Sequence, residues 1–261
     1  MIDCLYRRLP SDGDAQVFAS TDGTRSNWDP EIQHGSPPLA LMTKLIEEHA
    51  AGSGQRVGRL TLDILGAVPV VPVAVRAWTL RPGARIAMVC AEMTPVGTDR
   101  PVARVTAWLL ATGDTSDVAS DRYPPLGKGD PVANPHAWLG APGYLETVTW
   151  HKQDSPPDVA AEVWLGPLVP LVDDEPVTQT QKLAMVVDSA NGVGAALDPT
   201  EFLFMNTDTT VHLHRVPEGD EFALRARASI GPDGIGVTTA DLFDHRGFIG
   251  TSAQTLLVLR R

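Results

Sequence analysis

Residues 37–48, Pro37-Pro38-Leu39-Ala40-Leu41-Met42-Thr43-Lys44-Leu45-Ile46-Glu47-Glu48, decide the fold. Leu41, Met42 and Leu45 recur at helical spacing, and the prolines fall in a first turn, where a missing N–H is harmless. Ala51-Gly52-Ser53-Gly54 closes the helix. One short alternating strand, Gln16–Ser20, precedes it, and four strand-like runs follow: Arg59–Leu65, Val71–Leu80, Arg85–Thr94 and Pro101–Ala111. A long apolar helix followed by four such runs predicts an α+β unit, a curved antiparallel sheet wrapped around its helix.

The same order then returns. Ala161–Leu165 reads as a strand, and Val177–Ala190 as a helix with Leu183, Val186 and Val187 along one side, stopped by Asn191-Gly192. Glu201–Arg215, Glu221–Ser229, Gly234–Phe243 and Phe248–Leu259 follow as strands. Val68-Pro69 and Val216-Pro217 occupy matching places 148 residues apart. Order and spacing, not shared letters, carry this duplication. Between the halves, Gly113–Gly143 has the Asp, Ser, Pro and Gly of a linker, with Trp138 as a candidate anchor to the body. The expected organisation is a first half over 1–113, a linker over 114–142 and a second half over 143–261.

Composition narrows the function classes. A net charge of −11 and a pI near 5.0 argue against a nucleic-acid surface, yet leave room for a small anionic ligand held by a few local arginines. No apolar run approaches the roughly 18 residues of a membrane span, and Met1–Pro10 lacks the features of an export signal. Cys4 and Cys90 can form neither a disulfide framework nor a metal site, so a reduced, cytoplasmic protein is expected. Gly231–Gly236 reads as a hairpin turn, and no Gly-x-Ser-x-Gly elbow occurs. His212 and His214 share a strand face without a third ligand, which suits a surface or interface pair. No cofactor or metal is expected.

Four segments carry a family resemblance: Asn27–Pro38, Leu65–Val70, Asn206–Arg215 and Gly250–Gln254. In this order, across nearly the whole chain, they resemble the thioesterase-II-like acyl-CoA thioesterases, which are double-hotdog proteins. The resemblance implies two antiparallel sheets, each wrapped around a long central helix and set side by side as one continuous sheet. It implies hydrolysis of acyl-CoA to a free acid and CoA. It also implies a water held by an Asp on the second-half helix, a Thr or Asn at the following strand and a Gln on the closing strand. The matching positions are Asp188, Asn206, where threonine is common, and Gln254. In the first half the 148-residue offset places Ala40, Gly58 and Thr106 there, so that half looks catalytically silent. Many relatives carry Arg-Pro where this chain has Gly66-Ala67.

The residue types suit the chemistry. A carboxylate can take a proton from water, and amide side chains can aim the water's lone pair at a thioester carbonyl. Asp188 ends an apolar helix, where the dipole disfavours negative charge; the plainer alternative is a solvated helix residue. Gln254 needs partners if buried, or else faces water at an edge, and Asn206 can simply shape a turn. At His34-Gly35-Ser36, free N–H groups of a helix start can receive a carbonyl oxygen or phosphate; the alternative is a structural cap with Ser36 as N-cap. The competing function is a non-catalytic acyl-CoA or lipid-binding hotdog protein. Assembly beyond the paired halves, as a homo-oligomer, is compatible with the layout.

Overall fold

The computed structural model describes residues 2–11, 13–132, 142–153, 156 and 159–261. The first half holds β1 (Tyr6–Leu9), β2 (Gln16–Ser20), α1 (Ser36–His49), β3 (Gln55–Ile64), β4 (Val73–Arg81), β5 (Ile86–Pro95) and β6 (Ala103–Ala111). The linker contributes β7 (Asp130–Pro131). The second half holds β8 (Val148–Lys152), β9 (Ala161–Pro167), α2 (Gln179–Val187), α3 (Ala190–Val193), β10 (Phe202–Asn206), β11 (Asp208–Leu213), β12 (Phe222–Ile230), β13 (Ile235–Asp244) and β14 (Gly247–Arg260).

The strands join in the order β1-β2-β4-β5-β6-β3-β11-β14-β13-β12-β9-β8-β7, with β10 also on β14. Read from its two ends this order is a repeat: β2-β4-β5-β6-β3 is answered by β9-β12-β13-β14-β11. The duplication expected from spacing is therefore present in the hydrogen bonding. At the centre β3 and β11 pair antiparallel, from Asp63 opposite Asp208 to Arg59 opposite His212. The two units thus share one continuous sheet, because each inner edge satisfies the open N–H and C=O groups of the other. α1 packs on β4, β5 and β6, α2 on β9 and β12, and the helices pack on each other.

Several expectations change in detail. The second helix starts at a capping box, in which Thr178 Oγ1 accepts the Gln181 N–H and the Gln181 side chain reaches back. It then breaks: α2 ends at Val187, and α3 resumes at Ala190. The expected strand Glu201–Arg215 is two strands split at Thr207, whose N–H donates to Thr255 O at 2.9 Å. β3 has its irregularity at the corresponding place, between Val57 and Arg59. The linker is no loose tether over its first part. Tyr123 and Leu126 pack on Trp164, Phe243 and Phe248, and Trp164 Nε1 donates to Gly127 O at 2.9 Å. Trp138 lies outside the described residues. His212 is exposed on β11 and His214 is exposed just beyond its end, where its ring stacks on Phe248.

The halves are tied together again at the N-terminus. Leu5 and Tyr6 N–H groups donate to Pro170 O and Leu171 O at 3.1 and 2.9 Å. Beside them Glu175 accepts from Arg8 Nε at 2.6 Å and pairs at 2.9 Å with Lys44 Nζ, whose side chain is buried in α1. Donation by Arg8, opposed by burial and helped by Lys44, pulls the Glu175 carboxyl down to about 2. Glu175→Gln leaves a buried ammonium with Glu48 as its remaining partner. The variant should lose roughly 1–3 kcal/mol at neutral pH. A carboxyl depressed on folding stabilises fully above its ordinary 4.5, and that contribution fades as pH falls toward about 2. Thermal melts should therefore show wild type and variant converging across that interval.

Candidate active site

The break between α2 and α3 positions the first candidate residue. Asp188 and Ser189 keep αR geometry, so the chain turns on without unwinding and leaves a buried helix end whose carbonyls need partners. Tyr144 Oη donates to Met185 O at 2.8 Å, and Gln254 Nε2 donates to Asp188 O at 3.0 Å. The same Gln254 amide lies 3.1 Å from Asp188 Oδ1 and 2.9 Å from Thr209 Oγ1. Asn206 Nδ2 donates to Oδ1 at 2.8 Å, and the Thr209 hydroxyl donates to that oxygen too. Three donors thus converge on Oδ1. Among the described residues none is hydrogen-bonded to Oδ2, which faces the first half. Asp188 is only 3% exposed, and Thr209 and Gln254 are fully buried.

Asp188, Asn206 and Gln254 therefore meet in space. Thr209 joins them and was passed over in the sequence, although strand alternation signals it: Thr209, Val211 and Leu213 point inward, while His212 is exposed. The first-half counterparts need correction. Thr106 is not on the helix-facing side of β6; it accepts from Arg59 Nη2 at 3.2 Å on the other face. The inward residues at that level are Leu60, Leu62, Val105 and Ala107, all buried and apolar. The 148-residue offset is thus one residue out on the closing strand, where Val105 and Ala107 face inward as Gln254 does, and one residue along a strand is the opposite face.

At the head of α1 the N-cap is Gly35, not Ser36. His34 Nδ1 accepts the Ser36 N–H at 3.1 Å, and its ring stacks on Tyr144 with centroids 3.9 Å apart. Nδ1 is therefore an acceptor and the ring proton sits on Nε2, so the 3.8 Å approach to Asp188 Oδ2 is not an ion pair. Burial holds the His34 pKa below its usual value, against the opposing pull of Asp188. Pro37 and Pro38 carry no N–H, and Leu39 N–H returns to Gly35 O at 3.1 Å. Among the described residues the Gly35 N–H is the donor left without a protein partner at this helix start. A Cβ on Gly35 would lie 2.8 Å from Asp188 Cγ, although the φ of −69° is ordinary. Space, not conformation, demands glycine.

These groups sit on the wall of a 660 Å³ cavity running between the halves, of a size common for small-molecule sites. Asp188, Asn206, His34 and Gly35 form a polar patch on walls that include Trp28, Leu62, Leu145, Trp150 and Phe204. Thr209, Gln254 and Ser36 lie behind this wall. Gly66 and Ala67 also line it, without the cation that an arginine would bring.

A family profile described as the acyl-CoA thioesterase C-terminal domain matches residues 120–258, and one for the N-terminal domain matches residues 24–110. The chain belongs to the acyl-CoA thioesterase family. The protein is thus a thioester hydrolase. A hotdog-fold protein from Alicyclobacillus acidocaldarius superposes with a TM-score of 0.73, covering 96% of this chain and 95% of its own at 16% identity. An acyl-CoA thioesterase II from Mycobacterium marinum does so at 0.68, covering 94% and 92% at 14% identity. At such identities the likeness speaks for the hotdog fold alone. No curated protein sequence matches the thioesterase. Among its described residues no helix is long and apolar enough to cross a membrane.

Two outcomes test this geometry. Gly35→Ala should push on the Asp188 carboxylate, cost about 1–3 kcal/mol in denaturant unfolding and lower thioesterase turnover. Gly113→Ala, with nothing within 4 Å of its added methyl, should do neither. His34 binds its proton less readily folded than unfolded, so below its usual 6.5 the unfolded chain takes up more protons and stability falls with pH. His34→Gln should flatten that part of the melting-temperature profile.

Proposed function

We propose that the thioesterase hydrolyses acyl-CoA by direct attack of a water whose proton passes to Asp188 Oδ2. The observation supporting this reading is the carboxylate itself: buried, held by three donors on one oxygen, and turned by them toward a helix start on the cavity wall. Asn206 stands on that wall beside the water, and Thr209 and Gln254 fix the carboxylate from behind. The thioester carbonyl oxygen points to the head of α1. There the Gly35 N–H and the positive helix end stabilise the oxyanion, while His34 and Ser36 hold the helix start in place. Collapse of the tetrahedral intermediate breaks the C–S bond, and the departing CoA thiolate takes the proton from Asp188. The acid and CoA leave with Asp188 again a carboxylate.

In this reading residues 143–261 supply the base and residues 1–113 the oxyanion donor, with 114–142 joining them. The mechanism calls for no cofactor, and a cytoplasmic pool of acyl-CoA is the setting proposed for it.

Asp188→Asn keeps size and most hydrogen bonding but cannot accept a proton. Release of free thiol from acyl-CoA should fall by about 10²- to 10⁴-fold, with affinity little changed. Gln254→Ala should also slow turnover, and the double variant should fall short of the product of the two losses, because both residues serve one carboxylate. A well-folded Asp188→Asn enzyme working near the wild-type rate would refute the water site and favour a binding role for this cavity.

A further inference from the structure

Tyr144 opens the short helical turn Tyr144–Thr147 that follows the linker, and it is buried. Its N–H donates to Arg25 O at 3.0 Å, which ties its backbone to the first half. Its ring stacks on His34, with centroids 3.9 Å apart and planes 13° from parallel. Its hydroxyl reaches the other helix, 2.8 Å from Met185 O and 2.9 Å from Ser189 Oγ. His34 precedes Gly35, and Met185 and Ser189 flank Asp188. One side chain thus holds both sides of the gap in which Gly35 and Asp188 face each other.

The protons in this contact have one arrangement. A carbonyl only accepts, so the single phenol proton goes to Met185 O, and the Ser189 hydroxyl donates to Tyr144 Oη. Burial raises the phenol above its ordinary 10, so it remains a donor at neutral pH. Met185 O is among the last carbonyls of α2, which the helix itself leaves unpaired. Without the hydroxyl that carbonyl loses its donor, and the helix end must shift to find another. The gap leaves no slack for such a shift, since even a Cβ on Gly35 would lie 2.8 Å from Asp188 Cγ. We propose that Tyr144 is a positioning residue of the thioesterase. Through His34 on one side and Met185 and Ser189 on the other, it sets the distance between the Gly35 N–H and the Asp188 carboxylate. It touches neither the attacking water nor the thioester. The proposal rests on the water-site reading of Asp188.

The test is Tyr144→Phe, which keeps the ring on His34 and removes only the hydroxyl. Steady-state thiol release from acyl-CoA should show kcat about 10- to 100-fold lower. Affinity is read with a non-hydrolysable acyl-CoA thioether, in which a methylene replaces the thioester carbonyl. Calorimetric titration with this analogue should give a Kd within about threefold of wild type and the same stoichiometry. Glu175→Gln, destabilised away from the site, should keep the wild-type kcat. A wild-type kcat in Tyr144→Phe overturns the proposal. So does a fall in kcat matched by an equal fall in binding stoichiometry, which means fewer folded sites rather than misplaced groups. An equal fall in Glu175→Gln overturns it too, since lost stability alone would then account for the rate. If Tyr144→Phe does not fold, Ser189→Ala decides. It removes the hydroxyl bonded to Oη, and kcat should fall about 3- to 10-fold with the analogue bound as before; an unchanged kcat there overturns the proposal. Failure of these variants with Asp188→Asn still inactive refutes only the role of Tyr144. An Asp188→Asn enzyme of full activity refutes the parent reading.

Discussion

The ladder between β3 and β11 is the interaction on which everything else rests. It fuses the inner edges of two similar units into one sheet, and the helices carried by that sheet then meet on its inner side. Because the halves are related head to tail, the start of α1 faces the end of α2. The candidate site lies there, and neither half contains it alone: a helix start comes from one, a carboxylate and its donors from the other.

Electrostatics explains why the carboxylate tolerates its place. A helix C-terminus repels negative charge, and burial removes the water that would soften it. The Gln254 amide answers both problems by donating to the Asp188 carbonyl and carboxylate together. Across the gap the head of α1 offers the opposite end of a helix dipole. The constraint on Gly35 follows from the same closeness, since only a residue without a Cβ leaves the carboxylate its room.

Much of this was legible in the residues. The helix over 37–48, the strand runs and the repeat spacing all reappear, and Asp188, Asn206 and Gln254 do come together. What escaped detection has physical reasons. β1 and β8 are short and carry little apolar signal, with exposed Arg7, Arg8 and Lys152 among their residues. Thr209 is an unremarkable letter in Asp208-Thr209-Thr210, and only its side of the strand makes it a partner of Asp188. Thr106 failed for the converse reason. A fixed offset counts residues, but an offset wrong by one residue reverses the face of a strand, which no count of letters records.

The linker's docking carries a further consequence, in the matter of concentration. A site shared between two separate subunits is lost on dilution, as the pair dissociates by mass action. Here the partners are joined through residues 113–143, whose described first part is itself pinned to the sheet through Tyr123, Leu126 and Gly127. Assembly of the site is an intramolecular event governed by effective concentration, and is independent of how much protein is present. The same covalent joining frees the halves from having to match. In a symmetric pair any change appears twice; in this chain the mirror position could become Leu60, Leu62, Val105 and Ala107, plain core, while its counterpart kept a buried polar cluster.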